Sequence, residues 1–185
     1  MSTLDQTIEY LEGLGAAGDK VIQQATSEAA KELRNNDLVR DMAAGTGVDA
    51  GALRKRIRLY NATTRNEATA RLVFSGSGIP VSEYSYRARA ASHATRSQIL
   101  VQWFGSEKLA AGFINQKSTR QLPLATMSRK TVGAKTYTDG KGKLTDARGP
   151  SAAAMWQDMD QTSYEEKAQV RLSAHVAELL EALEP

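Results

Sequence analysis

Residues 53–74 read LRKRIRLYNATTRNEATARLVF, and the period of their apolar residues changes midway. With a helix beginning near Asp49, Leu53, Ile57 and Tyr60 share one helical face, while Arg54, Lys55, Arg56 and Arg58 take the others. Past Tyr60 and a polar turn, Ala68, Ala70, Leu72 and Phe74 alternate with Thr69, Arg71 and Val73. Alternation of that kind predicts a half-buried strand. Helix giving way to strand within 22 residues points to an α+β fold.

The flanks extend this pattern. On the N-terminal side, Leu4, Ile8, Leu11 and Leu14 recur at helical spacing, with Thr3 and Gln6 as a capping box, and Gly13, Gly15 and Gly18 break the run. Ile22, Ala25, Ala29 and Leu33 form the stripe of a second helix whose small residues suit close packing. Arg34 to Asp37 reads as a stop, with Asp37 capping a short helix, LVRDMAAG. On the C-terminal side, IPV is extended and Pro80 suggests an edge. Residues 98–104 and 109–116, joined by GSEK, predict a hairpin, and RQLPLATMSRK a further strand. Residues 82–97 keep neither period and read as an exposed basic, aromatic arm. Residues 136–148 are a glycine-punctuated hairpin loop or extension. Both segments are expected to be mobile in a free subunit, being poor in large aliphatics. Pro150 suits the first turn of a helix after Gly149, and residues 163–183 give the clearest helix, with Ala168, Leu172, Ala174, Val176, Leu179, Leu180 and Leu183 on its apolar side. The expectation is one domain over 1–185. It comprises a helical part over 1–62, a mainly antiparallel sheet with long loops over 63–148, and closing C-terminal helices over 149–185.

A 185-residue chain that is 41% apolar can bury a core. No run of 18 apolar residues suggests a transmembrane helix, and the acidic N-terminus lacks the basic region of a secretory signal. The absence of cysteine excludes disulfides and thiolate metal sites and suits a reducing cytosol. The net charge of +3 hides a segregation: residues 53–150 carry 18 Lys and Arg against 5 Asp and Glu, a balance of +13, while the flanks carry 6 against 16, or −10. A basic middle suits nucleic acid, or the acidic ends of a neighbouring copy.

The first half of the opening stretch also fits a helix-turn-helix. In DMAAGTGVDAGALRKRI, Ala43, Gly47 and Leu53 supply the small residue, the turn glycine and the apolar anchor. A DNA-binding reading would use the basic helix over 50–60. Any two short helices meeting at a glycine need the same residues, and the exposed side lacks the Gln, Asn or Ser set that reads base edges.

A second reading comes from the order of several short motifs. A basic helix ends in an Ala-Thr turn, Ala62-Thr63; a strand carries Ala70-Arg71; a hydrophobic-Pro pair follows, Ile79-Pro80. Downstream come Phe113-Ile114 and the Gly-Pro-Ser start of the last helices, Gly149-Pro150-Ser151. In this order and spacing, over nearly the whole chain, the sequence resembles the minor tail protein Z, or tail completion, family of long-tailed lambda-like bacteriophages. The resemblance implies a structural virion protein at the head-proximal end of the tail, present in the host cytoplasm during assembly. Its implied partners are copies of itself in a ring, the tail tube or tail terminator protein, the head–tail connector protein, and DNA passing through the channel without sequence readout. No membrane partner is expected. Interface candidates are Arg54, Lys55, Arg56, Arg58 and Arg71, then Tyr84, Tyr86, Arg87 and Arg89 of the arm, then Glu178 and Glu181 of the last helix.

No residue is assigned a catalytic, cofactor or metal role, and no enzyme is expected. Ser77 lacks a Gly-x-Ser-x-Gly elbow. His93 reads as solvated and His175 as a packed or surface histidine. The Gly-Lys pairs at 140–143 lack the spacing of a phosphate loop. Asp158, Asp160, Glu165 and Glu166 stand where acids favour helix starts. Trp103 and Phe113 read as sheet core, and Trp156 as packing under the final helix.

Overall fold

The computed structural model describes residues 13, 15–64, 67–90, 96–126, 136–138 and 143–183. The predicted first helix over Leu4 to Leu14, and His93, lie outside the described residues. The architecture is the expected α+β: helices, antiparallel sheets, a closing helix. Two compact units are built from interleaved segments. One comprises Met1–Arg40, Arg54–Phe74 and Trp156–Pro185, the other Asp41–Leu53 and Ser75–Met155.

In the first unit, helix α1 (Ala16–Glu32) follows Gly15, whose φ of 58° suits a residue without a Cβ. Gly18, Val21, Ala25 and Ala29 are its buried stripe, so Gly18 packs inside the helix instead of breaking it. The predicted stop at Arg34 to Asp37 does not occur. The chain continues as a π-helical segment (Leu33–Leu38) and then as α2 (Val39–Thr46). Asp37 caps nothing here. Its carboxylate is buried and held by Arg171, and a tertiary partner displaces the local cap that Asp favours.

Helix α3 (Ala50–Arg56) is capped by Asp49, whose Oδ1 accepts from the Ala52 amide at 2.9 Å. It stops after two turns. The expected helix over 50–60 and helical part over 1–62 are therefore corrected: Ile57, Arg58 and Tyr60 lie on strand β1 (Ile57–Thr64). This strand pairs antiparallel with β2 (Glu67–Phe74) from Ile57↔Phe74 to Thr64↔Glu67. Spacing of Leu53, Ile57 and Tyr60 fits a helix, but the Ile, Tyr and Thr content of IRLYNATT favours a strand once β2 offers a ladder.

Strands β3 (Gly78–Pro80), β4 (Tyr86–Ala90), β5 (Arg96–Trp103), β6 (Ser106–Asn115), β7 (Pro123–Thr126), β8 (Thr136–Thr138), β9 (Lys143–Asp146) and β10 (Arg148–Ser151) belong to the second unit. β6 is the hub. One edge takes β5, which pairs with β4; the other is shared by β10, which pairs with β3, and by β7, which leads to β9 and β8. Gly112 permits this sharing. Its φ is 141°, and a Cβ there would meet the Leu124 carbonyl oxygen at 2.6 Å and the Ala147 Cβ at 2.7 Å. The β5–β6 register shifts beside it, as at a bulge. The predicted hairpin is present, but its turn is Phe104-Gly105, both at positive φ, so Ser106 to Lys108 already lie on β6. Pro80 stands on an edge strand, as expected.

Two further expectations are corrected, and a third is borne out in part. The arm over 82–97 contains a 3-10 turn (Val81–Glu83), all of β4 and the start of β5, because β5 supplies a hydrogen-bonding partner that composition does not reveal. The segment over 136–148 is a hairpin, one of its two expected forms, with β8 pairing antiparallel with β9, but it is strand at both ends and also holds the start of β10. Gly149-Pro150-Ser151 is strand, not helix: Pro150 sits where the β10–β3 register shifts, so its missing N–H costs no ladder bond. Ser151 Oγ then accepts from Ala154 N at 3.2 Å, and helix α4 (Ala152–Gln157) begins.

Helix α5 (Gln161–Glu181) is capped by Asp160, as its position suggested. Leu172, Val176, Leu179 and Leu180 pack on Val21, Ile22 and Ala25 of α1. Nearer its start, Tyr164 and Ala168 join Leu33, Leu38, Leu72, Phe74 and Met159. Trp156 stacks on Phe74 at 5.0 Å and meets Tyr164 edge-on at 5.7 Å, which places it beneath the last helix. Among the described residues, no helix is long and apolar enough to cross a membrane.

Candidate interaction surfaces

In the first unit, register sorts the β1–β2 ribbon into two faces. Ile57, Leu59 and Asn61 share a face with Phe74, Leu72 and Ala70. That face meets the helices: Leu72 and Phe74 join the core, and Asn61 Nδ2 donates to Ser27 Oγ of α1 at 2.8 Å. The opposite face carries Arg58 and Tyr60 on β1 and Arg71 directly across from Tyr60. Arg54 and Lys55 are exposed in the last turn of α3, where cations suit the helix dipole, and Arg56 is half-buried. The structure thus brings Arg58 and Arg71 together on one sheet face.

The same unit presents an acidic surface. Glu166, Glu178 and Glu181 of α5 are exposed on one side of the helix with Val170, which is 70% exposed, while Glu165 is exposed on the opposite side. Of the two long cations of α5, Arg171 does not share that surface. Lys167 Nζ lies over the Tyr164 ring at 4.6 Å. Arg171 turns inward, bonding Asp37 at 2.9 Å and Glu32 at 2.6 Å. Burial by itself would depress the Arg171 pKa, but the hydrogen bonds and charges of Asp37 and Glu32 outweigh it and raise it. His175 is packed as expected, with Nε2 3.5 Å from Glu32 and Nδ1 3.6 Å from Glu178.

In the second unit, Tyr86, Arg87 and Arg89 are exposed on β4. Arg87 makes a two-pronged bridge to Glu107 of β6, spanning β5. The bridge raises the Arg87 pKa, and the hydrogen bond from Arg87 holds the Glu107 carboxyl below its ordinary range. Tyr84 is a correction to the interface candidates. It is buried, its hydroxyl donates to the Pro150 carbonyl at 2.7 Å, and its ring packs on Gly149. Trp103 is buried with Lys108 over its ring at 4.0 Å; Phe113 is half-buried beneath Arg96 at 4.1 Å.

Sequence reading missed the Arg171 network. The available signal was a cation next to Leu172 on the packed side of the last helix, a position that requires a buried partner. It also missed Leu109, which is 61% exposed and lies across from Leu100. Among the described residues, no three His, Cys, Asp or Glu side chains are grouped to hold a metal ion. No protein-family model, curated protein or solved structure matches the chain.

Proposed function

We propose that the chain is a structural virion protein, a tail completion component at the head-proximal end of a long phage tail. In this role copies of it form a ring that contacts the tail tube or terminator on one side and the head–tail connector on the other. The protein works by contact, not by catalysis.

One observation carries this reading. The motifs behind the family resemblance fall into two groups, one in each compact unit, and within each group they lie on paired or neighbouring strands. Ile79-Pro80 lies on β3, Gly149-Pro150-Ser151 on β10 beside it, and Phe113-Ile114 on β6 beside β10. Ala62-Thr63 of β1 and Ala70-Arg71 of β2 likewise share one hairpin, with Ala62↔Thr69 and Asn61↔Ala70 opposed. Within each unit, motifs on neighbouring strands fit a shared framework, and this supports the reading. The helix-turn-helix alternative has less support. Gly47 does adopt the left-handed turn, with φ at 67°, and Leu53 is fully buried, but α3 ends at Arg56, leaving two turns to enter a groove.

Disrupting the reading frame in the genome that carries it tests the proposal. Filled heads and full-length tails should accumulate unjoined in electron micrographs. Joined, infectious particles in normal yield would contradict it.

A further inference from the structure

We infer that the chain binds a second copy of itself head to tail, the outer face of the β1–β2 ribbon on one copy meeting the exposed side of α5 on the next. From the tail reading above it takes only that copies adjoin in a ring, and it names the two faces that meet.

The two faces match in sign. The ribbon and the end of α3 expose Arg54, Lys55, Arg58 and Arg71. None of these four is engaged by a described carboxylate. The outer side of α5 exposes Glu166, Glu178 and Glu181, while Arg171 turns inward onto Asp37 and Lys167 is half-buried with its Nζ over the Tyr164 ring. Each copy therefore carries a cationic face and an acidic face on separate elements. Contact between identical faces would set like charges together, whereas contact between different faces pairs them, and repetition of such a contact builds rings or filaments.

They also match in extent and relief. Val170, Ser173, Ala174, Ala177, Glu178 and Glu181 recur at helical spacing along one side of α5, over about 16 Å. Arg58 to Ala62 on β1 spans about 13 Å, with Arg71 across from Tyr60. Tyr60 is 50% exposed and Val170 is 70% exposed, each an apolar side chain set among charges. The small side chains of Ser173, Ala174 and Ala177 leave room for the Tyr60 ring beside Val170. Charge then orients the copies, and the tyrosine supplies the apolar contact.

Sedimentation equilibrium of the intact chain tests this. The wild-type mass should rise with concentration up to about 1 mM. Arg58→Glu with Arg71→Glu, and separately Glu178→Arg with Glu181→Arg, should each weaken association at least ~10-fold. An equimolar mixture of the two variants should restore it, because each reversed face then meets a partner of opposite sign. Circular dichroism melts check folding, and Arg58→Gln with Arg71→Gln replaces the first variant if its melt departs from wild type. A wild-type chain that stays monomeric, variants that associate as wild type does, or a mixture no stronger than its components would overturn the inference. So would duplex DNA binding to the cationic face of a chain that stays monomeric. No tail component is present in the assay, so failure here leaves the tail reading standing, and normal joining after gene disruption leaves this contact standing.

Discussion

The Arg171 guanidinium of α5 donates to the Asp37 carboxylate of the π-helical segment at 2.9 Å, joining residues 134 positions apart. A second nitrogen of the same group reaches Glu32 at 2.6 Å, so one side chain ties the end of α1 and the π-helical turn to α5. Arg171→Met removes these bonds and, among the described residues, leaves the buried Asp37 with Arg40, at 3.8 Å, as its remaining cationic neighbour. The Arg171 side chain keeps 26% exposure, so the cost falls below that of a fully buried pair, at about 1–3 kcal/mol. Urea unfolding followed by circular dichroism measures it. A loss within about 0.5 kcal/mol, the range of ordinary surface changes, would mean the network contributes nothing.

This relationship also shows where sequence reading stops. The strand at EATARLVF, the hairpin of β5 and β6, the edge position of Pro80 and the amphipathic last helix were legible, because each is written in a local period or a local breaker. Asp37 was misread as a cap because its actual partner lies in α5, and no local pattern encodes that distance. Ile57 and Tyr60 were misread as helical because their spacing from Leu53 serves either structure, and pairing with β2 decides between them. The cationic side chains were found by count, but only register shows that Arg58, Tyr60 and Arg71 share a face.

Gly112→Ala should destabilise the protein by about 2 kcal/mol or more. The substitution places a Cβ at φ 141° against the Leu124 carbonyl and Ala147, neither of which is the free end of a flexible side chain. Gly76→Ala, with open space around its Cβ, serves as the control. Equal melting temperatures for the two variants would refute the role given to Gly112.

The Arg87–Glu107 tie has a defined pH dependence. Because the folded Glu107 pKa lies below its unfolded value, the contribution of the tie is fully present above the ordinary carboxylate range. It is lost as pH falls through the depressed value. An NMR titration of the Glu107 side-chain carboxyl should give a midpoint below that of a free glutamate, and Arg87→Ala should move it upward. An unchanged midpoint in the variant would assign the shift to another cause.

Any affinity for duplex DNA should be indifferent to sequence and steep in salt. Four exposed cations at Arg54, Lys55, Arg58 and Arg71 predict a loss of about 100-fold between roughly 50 and 200 mM salt. Fluorescence anisotropy with two unrelated duplexes checks this. Selective binding to one of them that persists at the higher salt would favour sequence readout by α3.

Placement in the virion bears most directly on the central claim. Antibody raised against the chain, with gold-conjugated secondary antibody, should label purified particles at the junction of tail and head and nowhere along the tube. Label at the distal tip, along the tube, or absent from particles altogether would contradict a tail completion role.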